Sequence, residues 1–284
     1  MDSVDELKLV SNISISVVVY RSNTEVLRKT FASLLEAVVV AQESGRLAEV
    51  SLFIVDNDDG MNVFDVSLCS EIFGIDPKIL EVEVIAGHGN VGYGRGHNLA
   101  INRSMRDYHL VLNPDVILES DAILQALQFF QQHRLVGMIS PASRTGRGTT
   151  EYLCKRCPSL LDLLLRGFAP GGVKRLFEAR LSRYEFRKET DDGIPFVAPI
   201  VSGCFMFGKT FLFKKVGGFS NDYFMYFEDF DLSLRISRFE ILMHVPSVRI
   251  THFGGGASRK GWRHILMFGK SALVFYRHYG LKFF

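Results

Sequence analysis

The sequence predicts an α/β protein: a mixed, mainly parallel sheet flanked by helices, with a helical insert and a C-terminal helix. Three observations carry that expectation. Short runs rich in β-branched residues alternate with segments of helical apolar spacing. The strand-like runs end in polar or glycine-rich loops, where open α/β sheets gather their ligands. The composition, 47% hydrophobic and 23% charged over 284 residues, is that of a folded domain with a sizeable core.

Taken in order, ISISVVVY at 13–20 is the first expected strand, because β-branched residues suit a buried pleated surface. A helix follows over 24–44, with Asn23 or Thr24 as its N-cap. VSLFIV at 50–55 is the second strand, stopped by the turn signal Asp56-Asn57-Asp58-Asp59-Gly60. The third, EVEVIA at 81–86, runs into the loop GHGNVGYGRG, after which 97–106 reads as a helix. LVLN at 110–113 is the fourth strand and ends on Pro114-Asp115; a helix opened by Ser120 covers 119–133. From about 149 to 195 the alternation breaks. SLLDLLLRGF reads as an amphipathic helix and VKRLFEARLSRYEFRK as a basic one. Strand-like VAPIVSGCFMFG, the acid-aromatic DYFMYFEDFDLSLR, the strand in VPSVRITHFGGGAS and a helix over 261–279 complete the chain. The whole, 1–284, reads as a single domain with parts at 13–140, 141–260 and 261–284.

The net charge is only +2, so the molecule is no polycation, but the charge is unevenly placed. No Asp or Glu follows Glu240, whereas Arg249, Arg259, Lys260, Arg263, Lys270, Arg277 and Lys282 do. Such a tail favours an anionic partner. The stacking-aromatic pattern of a nucleic-acid binder is missing, so no nucleic acid is expected. Cys69, Cys154, Cys157 and Cys204 make no disulfide framework, and the lone CxxC at 154–157 reads as reduced thiols rather than zinc or redox chemistry. The acidic start MDSVDELKLV lacks the basic start of a signal peptide, and no apolar run reaches membrane-spanning length. The expectation is a cytoplasmic protein that touches a membrane from one side only.

Four places could carry chemistry. Gly87–Gly92 satisfies GxGxxG after a strand, a weak dinucleotide match because two strands precede it. Its glycines would equally admit a phosphate or sugar, or form a turn without a ligand. Asp56 either starts an Asx turn or accepts hydrogen bonds from a base or ribose. Asp115, at a neighbouring strand end, would join it in holding a nucleotide with a hard cation. Glu228, Asp229 and Asp231 lie between aromatic residues; they favour a helix N-terminus, or one of them is a general base with a raised pKa. His252, followed by three glycines, is structural or a metal or phosphate contact.

These pieces, in this order, resemble the bacterial family 2 glycosyltransferases with a GT-A fold, a Rossmann-like nucleotide-diphospho-sugar transferase architecture. The rhamnosyltransferase-like branch is the nearest likeness. The likeness rests on VVVY at 17–20, VDN at 55–57, GNVGYGRGHN at 89–98, LNPDV at 112–116, SGCFMF at 202–207, VGGFSNDYFMYFEDFDLSLR at 216–235 and THFGGGAS at 251–258. It implies that Tyr20 and Arg21 line the nucleotide and Asp56 binds the base. It implies that Asn90, Gly92 and Asn98 shape the ribose pocket. Asp115 would hold Mg²⁺ or Mn²⁺ against the diphosphate, with His252 completing that site. Asp229 would be the catalytic base, with Glu228 and Asp231 supporting it or reading the acceptor. Asn113 stands where the family's first DxD carboxylate would be, which reduces the metal site to one acid. Ser220-Asn221 stands where the family often has Asp-Glu, a change confined to a turn.

The resemblance further implies an inverting transfer from a nucleoside diphosphate sugar, best matched by dTDP-rhamnose, with UDP-galactofuranose or a UDP-hexose behind it. The acceptor would be a saccharide or a lipid-linked sugar of envelope polysaccharide or lipopolysaccharide synthesis. The insert and the basic tail would face that acceptor at the inner membrane surface. An NAD-dependent oxidoreductase and a non-catalytic nucleotide- or glycan-binding module are the competing classes.

Overall fold

The computed structural model describes residues 10–58, 71, 73–76, 78–254 and 262–283. Asp59, Gly60, Cys69, Gly255, Gly256, Arg259 and Lys260, singled out above, lie outside the described residues. The chain opens with β1 (Ser11–Val19), α1 (Thr24–Glu43), β2 (Leu47–Asp56), β3 (Glu81–Ile85), α2 (Tyr93–Arg103), β4 (Tyr108–Leu112), β5 (Val116–Leu118) and α3 (Ala122–Gln132). It continues with β6 (Val136–Thr145), β7 (Thr150–Glu151), β8 (Cys154–Lys155), α4 (Leu160–Phe168), α5 (Gly171–Leu176), α6 (Glu178–Tyr184) and α7 (Arg187–Asp191). Last come β9 (Phe196–Val197), β10 (Ile200–Val201), β11 (Phe205–Lys209), α8 (Thr210–Lys215), α9 (Glu228–Ile236), β12 (Ile241–His252) and α10 (Trp262–Tyr279).

The main sheet runs β3-β2-β1-β4-β11-β6-β12-β5, with β7 beside β6 and β9 beside β12. Its long ladders, β1 with β2 and β6 with β12, are parallel, as are β2 with β3 and β1 with β4. The strand β11 is antiparallel to both β4 and β6, which makes the sheet mixed. Alternate side chains point to opposite faces. On β1, Ile13, Ile15 and Val17 enter a core shared with Leu27, Phe31 and Leu34 of α1 and with Ile123, Leu127 and Phe130 of α3. On the other face Ile101 of α2, Phe213 of α8, and Leu232 and Ile236 of α9 form a second core with Val111, Met138 and Met206.

Several boundaries differ from expectation for physical reasons. The helix expected over 97–106 begins at Tyr93, so Gly94 lies inside it. Glycine weakens a helix, but a Cβ at position 94 would stand 2.7 Å from that of Phe219, so only glycine lets the helix lie this close. Asn23 caps α1 as expected, accepting from the N–H groups of Glu25 and Val26. Ser120 does not open α3; Asp121 precedes it without a side-chain cap. The basic segment 173–188 is not one helix but is divided among α5, α6 and α7. The breaks fall at Phe177 and at Phe186, whose left-handed φ of 51° cannot continue a right-handed helix. In α4, Ser159 and Asp162 form a reciprocal capping box. No helix among the described residues is long and apolar enough to cross a membrane.

A buried polar chain crosses the sheet beneath α2. Ser14 Oγ bonds His109 Nδ1 at 2.7 Å, His109 Nε2 bonds Ser16 Oγ at 2.8 Å, and Ser16 Oγ bonds His97 Nδ1 at 2.7 Å. Burial holds both histidines neutral; His109 falls to about 3 and His97 well below its usual value. Burial also lowers His244 to about 4, and neither of its ring nitrogens has a hydrogen-bond partner. An unfolded chain binds protons at these rings below about pH 6.5, whereas the folded chain does not, so stability is lost as pH falls. Each histidine contributes about 1.4 kcal/mol of loss per pH unit in that window. Between pH 6.5 and 5.0 the unfolding free energy of the unaltered protein should fall relative to that of His244→Leu by one histidine's share, because groups whose pKa is raised by folding act with the opposite sign in both proteins and cancel in the comparison. A difference that stays constant with pH would contradict the assignment.

Candidate active site

The carboxyl ends of β1, β2 and β4 lie side by side, because Val19 pairs with Asp56 and Val17 with Leu112. Tyr20 leaves β1 at this edge, 43% exposed, with the Arg21 guanidinium 5.2 Å from its ring centre. Arg21 holds a left-handed φ of 49° at the strand's end. Asp56 is buried, and its Oδ1 accepts the N–H of Asp58 at 2.9 Å, forming the Asx turn. Asn57 Nδ2 donates to the Gly92 carbonyl at 3.0 Å. Asn90 Oδ1 accepts the Gly92 N–H at 3.0 Å.

Gly92 overturns the dinucleotide reading of GxGxxG. Its φ is 92°, and a Cβ there would stand 2.5 Å from the carbonyl oxygen of Phe224. The glycine admits the protein's own backbone rather than a pyrophosphate, and Tyr93 N–H donates to the same carbonyl at 3.2 Å. Asn98 has a bracing task. Its Nδ2 donates to the Phe219 carbonyl and its Oδ1 accepts the Phe219 N–H, both at 2.8 Å. Asn98 thereby fixes the 217–219 turn beside the site.

Asn113 follows β4, and its N–H donates to the Cys204 carbonyl at 2.9 Å. One turn later, Asp115 meets His252 Nε2 at 3.3 Å, while His252 Nδ1 meets Glu151 at 3.0 Å. Burial lowers the His252 pKa, but the hydrogen bonds and charges of Asp115 and Glu151 outweigh it and lift it to about 9. His252 is therefore an imidazolium clamped between two carboxylates. Asp115 Oδ1 is buried, with His252 Nε2 as its ion-pair partner. A Cβ at residue 254 would lie 2.2 Å from Asp115 Oδ2, so Gly254 leaves that carboxylate open. Among the described residues no three His, Cys, Asp or Glu converge as a metal cage. The donor set thus fits a cation that takes one protein carboxylate and completes its shell from substrate phosphates and water. A His252 ligand would require that imidazolium to give up its proton on metal binding.

The acidic cluster divides by environment. Tyr226 and Phe227, immediately before α9, hold left-handed φ values of 71° and 67°. Two such non-glycine residues in a row are strained, and packing must hold them. Phe227 lies against Phe268 and Phe275 of α10, and Tyr226 Oη bonds His264 Nδ1 at 2.8 Å. This entry aims Glu228 and Asp229 into one cavity of about 390 Å³. Asp229 Oδ2 accepts the Gly203 N–H at 2.9 Å and Oδ1 accepts the Phe230 N–H at 3.0 Å. Glu228 Oε2 is buried without a partner. Burial raises both carboxyls, and Asp229's charge raises Glu228 further. The two backbone donors favour the ionised form of Asp229, so the shared proton goes to Glu228. Of the two roles expected of Asp231, supporting the base or reading the acceptor, its surroundings fit the first. It is buried, paired with Arg235 at 2.7 Å and bonded by Tyr279 Oη at 2.8 Å, so it ties α9 to α10 and does not face an acceptor.

Tyr93 connects the two halves, its Oη donating to the Gly203 carbonyl at 2.6 Å. Burial, then the charges of Cys204, Glu228, Asp229 and Asp115, keeps its phenol neutral. Sequence reasoning missed Tyr93, Glu151 and the cavity residues Lys155 and Arg166. Tyr93 carried a signal within GNVGYGRGHN; the others carried none, since their partners lie far along the chain. Asp231→Asn should expose its bracing role: it uncouples the Arg235 guanidinium and should cost about 3 kcal/mol of stability. Acceptor KM, measured below the melting range, should stay within about two-fold, because no substrate contact is lost. A large rise in acceptor KM at unchanged melting temperature would return Asp231 to the acceptor.

Comparison with known proteins agrees with this geometry. A family model described as Glycosyl transferase family 2 matches residues 14–217. Rhamnosyltransferase WbbL of Escherichia coli (strain K12) is 26% identical over 211 residues, which is 71% of this chain and 72% of that protein. The N-acetylglucosaminyl-diphospho-decaprenol L-rhamnosyltransferase of Mycobacterium tuberculosis is 26% identical over 216 residues, 70% of this chain and 68% of its own. GalNAc-T7, solved with UDP, GalNAc and Mn²⁺, superposes with a TM-score of 0.60 at 14% identity, over 86% of this chain and 43% of its own. The mannosyltransferase PcManGT from Pyrobaculum calidifontis, in complex with GDP-Man and Mn²⁺, gives 0.60 at 14% identity, over 93% and 65%. This chain spans less than two thirds of either solved chain, and the likeness to them is one of fold. It is the fold expected from the sequence.

Proposed function

The chain belongs to glycosyl transferase family 2, and from that premise we propose that it is an inverting rhamnosyltransferase. It takes L-rhamnose from dTDP-rhamnose to a sugar hydroxyl on a lipid-linked acceptor of envelope polysaccharide assembly. One observation carries the reading: Asp229 borders a cavity at a strained helix entry, and its Gly203 partner also binds Tyr93, beside the strand ends that bear Asp115. The choice of rhamnose rests on the two rhamnosyltransferases it resembles. The lipid-linked acceptor rests on the second of them.

In this reading Tyr20, Arg21 and Asp56 receive the nucleotide at the sheet edge, where Asn90 and Gly92 fix the loop above it. Asp115 would hold Mg²⁺ or Mn²⁺, with Asn113 offering a neutral oxygen beside it. A cation bound there would offset charge on the departing diphosphate. His252, ion-paired to Asp115 and Glu151, adds positive charge on the diphosphate side. Asp229, ionised, takes the proton of the acceptor hydroxyl. The oxygen then forms its bond to the anomeric carbon from the face opposite the diphosphate, and the bond to the diphosphate oxygen breaks. Glu228, carrying its proton, leaves Asp229 as the base. One displacement gives inversion, and one base suffices where a glycosidase needs two carboxyl groups. The site faces the cytoplasm, with the acceptor presented at the inner membrane surface.

Asp229→Asn should lower transfer by about 10²–10⁴-fold while donor binding, read by thermal shift, persists. Transfer that survives this change would remove Asp229 as the base. A panel of nucleotide sugars, with and without Mn²⁺, should give its largest stabilisation with dTDP-rhamnose, since a true donor stabilises the fold. A larger shift with UDP-galactofuranose or a UDP-hexose would reassign the donor. Calorimetry should find weak Mn²⁺ binding to the nucleotide-free protein and binding at least about ten-fold tighter with dTDP, because one carboxylate is a thin hold on a divalent ion. Tight binding without nucleotide would contradict the single-carboxylate site.

A further inference from the structure

The cavity beside Asp229 contains a second group of charges that the transfer chemistry does not use. Lys155, Arg166 and Glu185 line the same wall system as Glu228 and Asp229. Lys155 Nζ and the Arg166 guanidinium both meet Glu185 Oε1, at 3.6 and 3.0 Å, while Arg187 takes Oε2 at 2.8 Å. Three cations thus converge on one carboxylate. Among the described residues, Arg187 also pairs with Glu178 and Lys155 Nζ also donates to the Tyr152 carbonyl, so Lys155 and Arg166 meet the cavity with one shared carboxylate between them. Lys155 is buried, its side chain only 5% exposed. Burial and then Arg166 lower its ammonium to about 8 in spite of Glu185. Burial pushes Glu185 up, but Lys155, Arg166 and Arg187 hold it below its usual value. A buried lysine beside an arginine at a cavity wall costs desolvation that one shared carboxylate does not repay in full.

We propose that Lys155 and Arg166 form an anion subsite for the phosphoryl group that links the acceptor sugar to its lipid. The cavity of about 390 Å³ has room for a sugar and a phosphate together. Arg166 and Asp229 line the same cavity, so a phosphate on Arg166 and a sugar hydroxyl on Asp229 would belong to one substrate. The lipid has a route out as well. Leu163 and Arg166 of α4 and Phe268 of α10 line the cavity, while Leu164, Ile265, Leu266 and Leu273 of the same helices are exposed on the outside. The two helices are held together there: Tyr276 Oη bonds the Pro158 carbonyl at 3.3 Å, and Leu160 N–H bonds the Lys282 carbonyl at 2.7 Å. An apolar chain leaving between them would run over this surface, beside the basic groups that suit an anionic lipid layer. The subsite rests on the lipid-linked acceptor proposed above and names the side chains that select it.

Farnesyl diphosphate and farnesol serve as probes that carry no sugar, with dTDP and Mn²⁺ present to fill the donor site and also without them. The full-length protein should bind farnesyl diphosphate about ten-fold or more tightly than farnesol, since a hydrogen bond to a charged group contributes about 1.5–3 kcal/mol. Arg166→Gln should remove most of that preference without lowering the melting temperature, because Arg166 is half exposed. Lys155→Gln should do the same, and if it fails to fold, Arg166→Gln alone decides. No preference in the unaltered protein, or a preference unchanged in Arg166→Gln, would overturn the subsite. Phosphatidylglycerol vesicles separate the two sources of phosphate: if Arg166→Gln loses vesicle binding but keeps farnesyl diphosphate, the cations serve the membrane surface and the proposal fails. The donor reading is tested by dTDP-rhamnose alone, so its failure would be seen separately.

Discussion

The turn at 202–204 is the constraint on which the rest of the site depends. The Gly203 N–H holds Asp229, its carbonyl receives the Tyr93 hydroxyl, and the next carbonyl, that of Cys204, receives the Asn113 N–H. Three segments from distant parts of the chain, two helix starts and the loop after β4, meet on two consecutive residues. A Cβ at Gly203 would lie 3.3 Å from both Asp229 Cβ and Tyr93 Cε1, so the meeting is close-packed as well as hydrogen-bonded. What makes it possible is the antiparallel insertion of β11 beside β4. An all-parallel sheet would have carried that turn to the opposite edge, because a parallel strand enters from the other end.

The strained entry to α9 depends on the same arrangement from the other side. Left-handed φ at Tyr226 and Phe227 costs on the order of 1–3 kcal/mol per residue. Phe268 and Phe275 of α10, with Phe230 of α9, cover Phe227, and His264 bonds Tyr226. Asp231, through Arg235 and Tyr279, fixes the far end of the same contact. The helix α10 therefore supports the site: its aromatic face supplies the packing that holds the strained entry carrying Glu228 and Asp229 to the cavity. Strain of this kind fits a site that must present a carboxylate in one orientation.

The opposite half of the site is rigid for another reason. Ser14 and Ser16 lie in the middle of the sheet, where an apolar pair would have served packing equally well, and they engage His109 and His97 instead. A buried network with few open partners fixes one register between β1, β4 and α2. That register brings Tyr20, Asp56 and Asn113 to a common edge.

How much of this was legible in the chain varies with the range of the interaction. Strands β1, β2, β3 and β4, the cap at Asn23 and the turn at Asp56 were readable, because side-chain period and turn chemistry act over a few residues. The order of motifs, from VDN through LNPDV to FMYFED, was enough to suggest the family. The early start of α2 and the division of 173–188 were not readable, since close approach to Phe219 and the left-handed Phe186 override local propensity. The residues alone left the three acids at 228–231 undivided, and the family likeness singled out Asp229 as the base. Burial against Arg235 and Tyr279 took Asp231 out of the site, and the N–H groups of Gly203 and Phe230 made Asp229 its base-like member. Asn98 and His252 were noticed for their type, but their partners, Phe219 in one case and Asp115 with Glu151 in the other, decided what each does. Sequence by itself determined which residues reach the carboxyl edge of the sheet. Only the tertiary structure decided which of them face a cavity and which brace it, because a polar side chain's task is set by the partner that folding brings to it, and those partners lie tens of residues away.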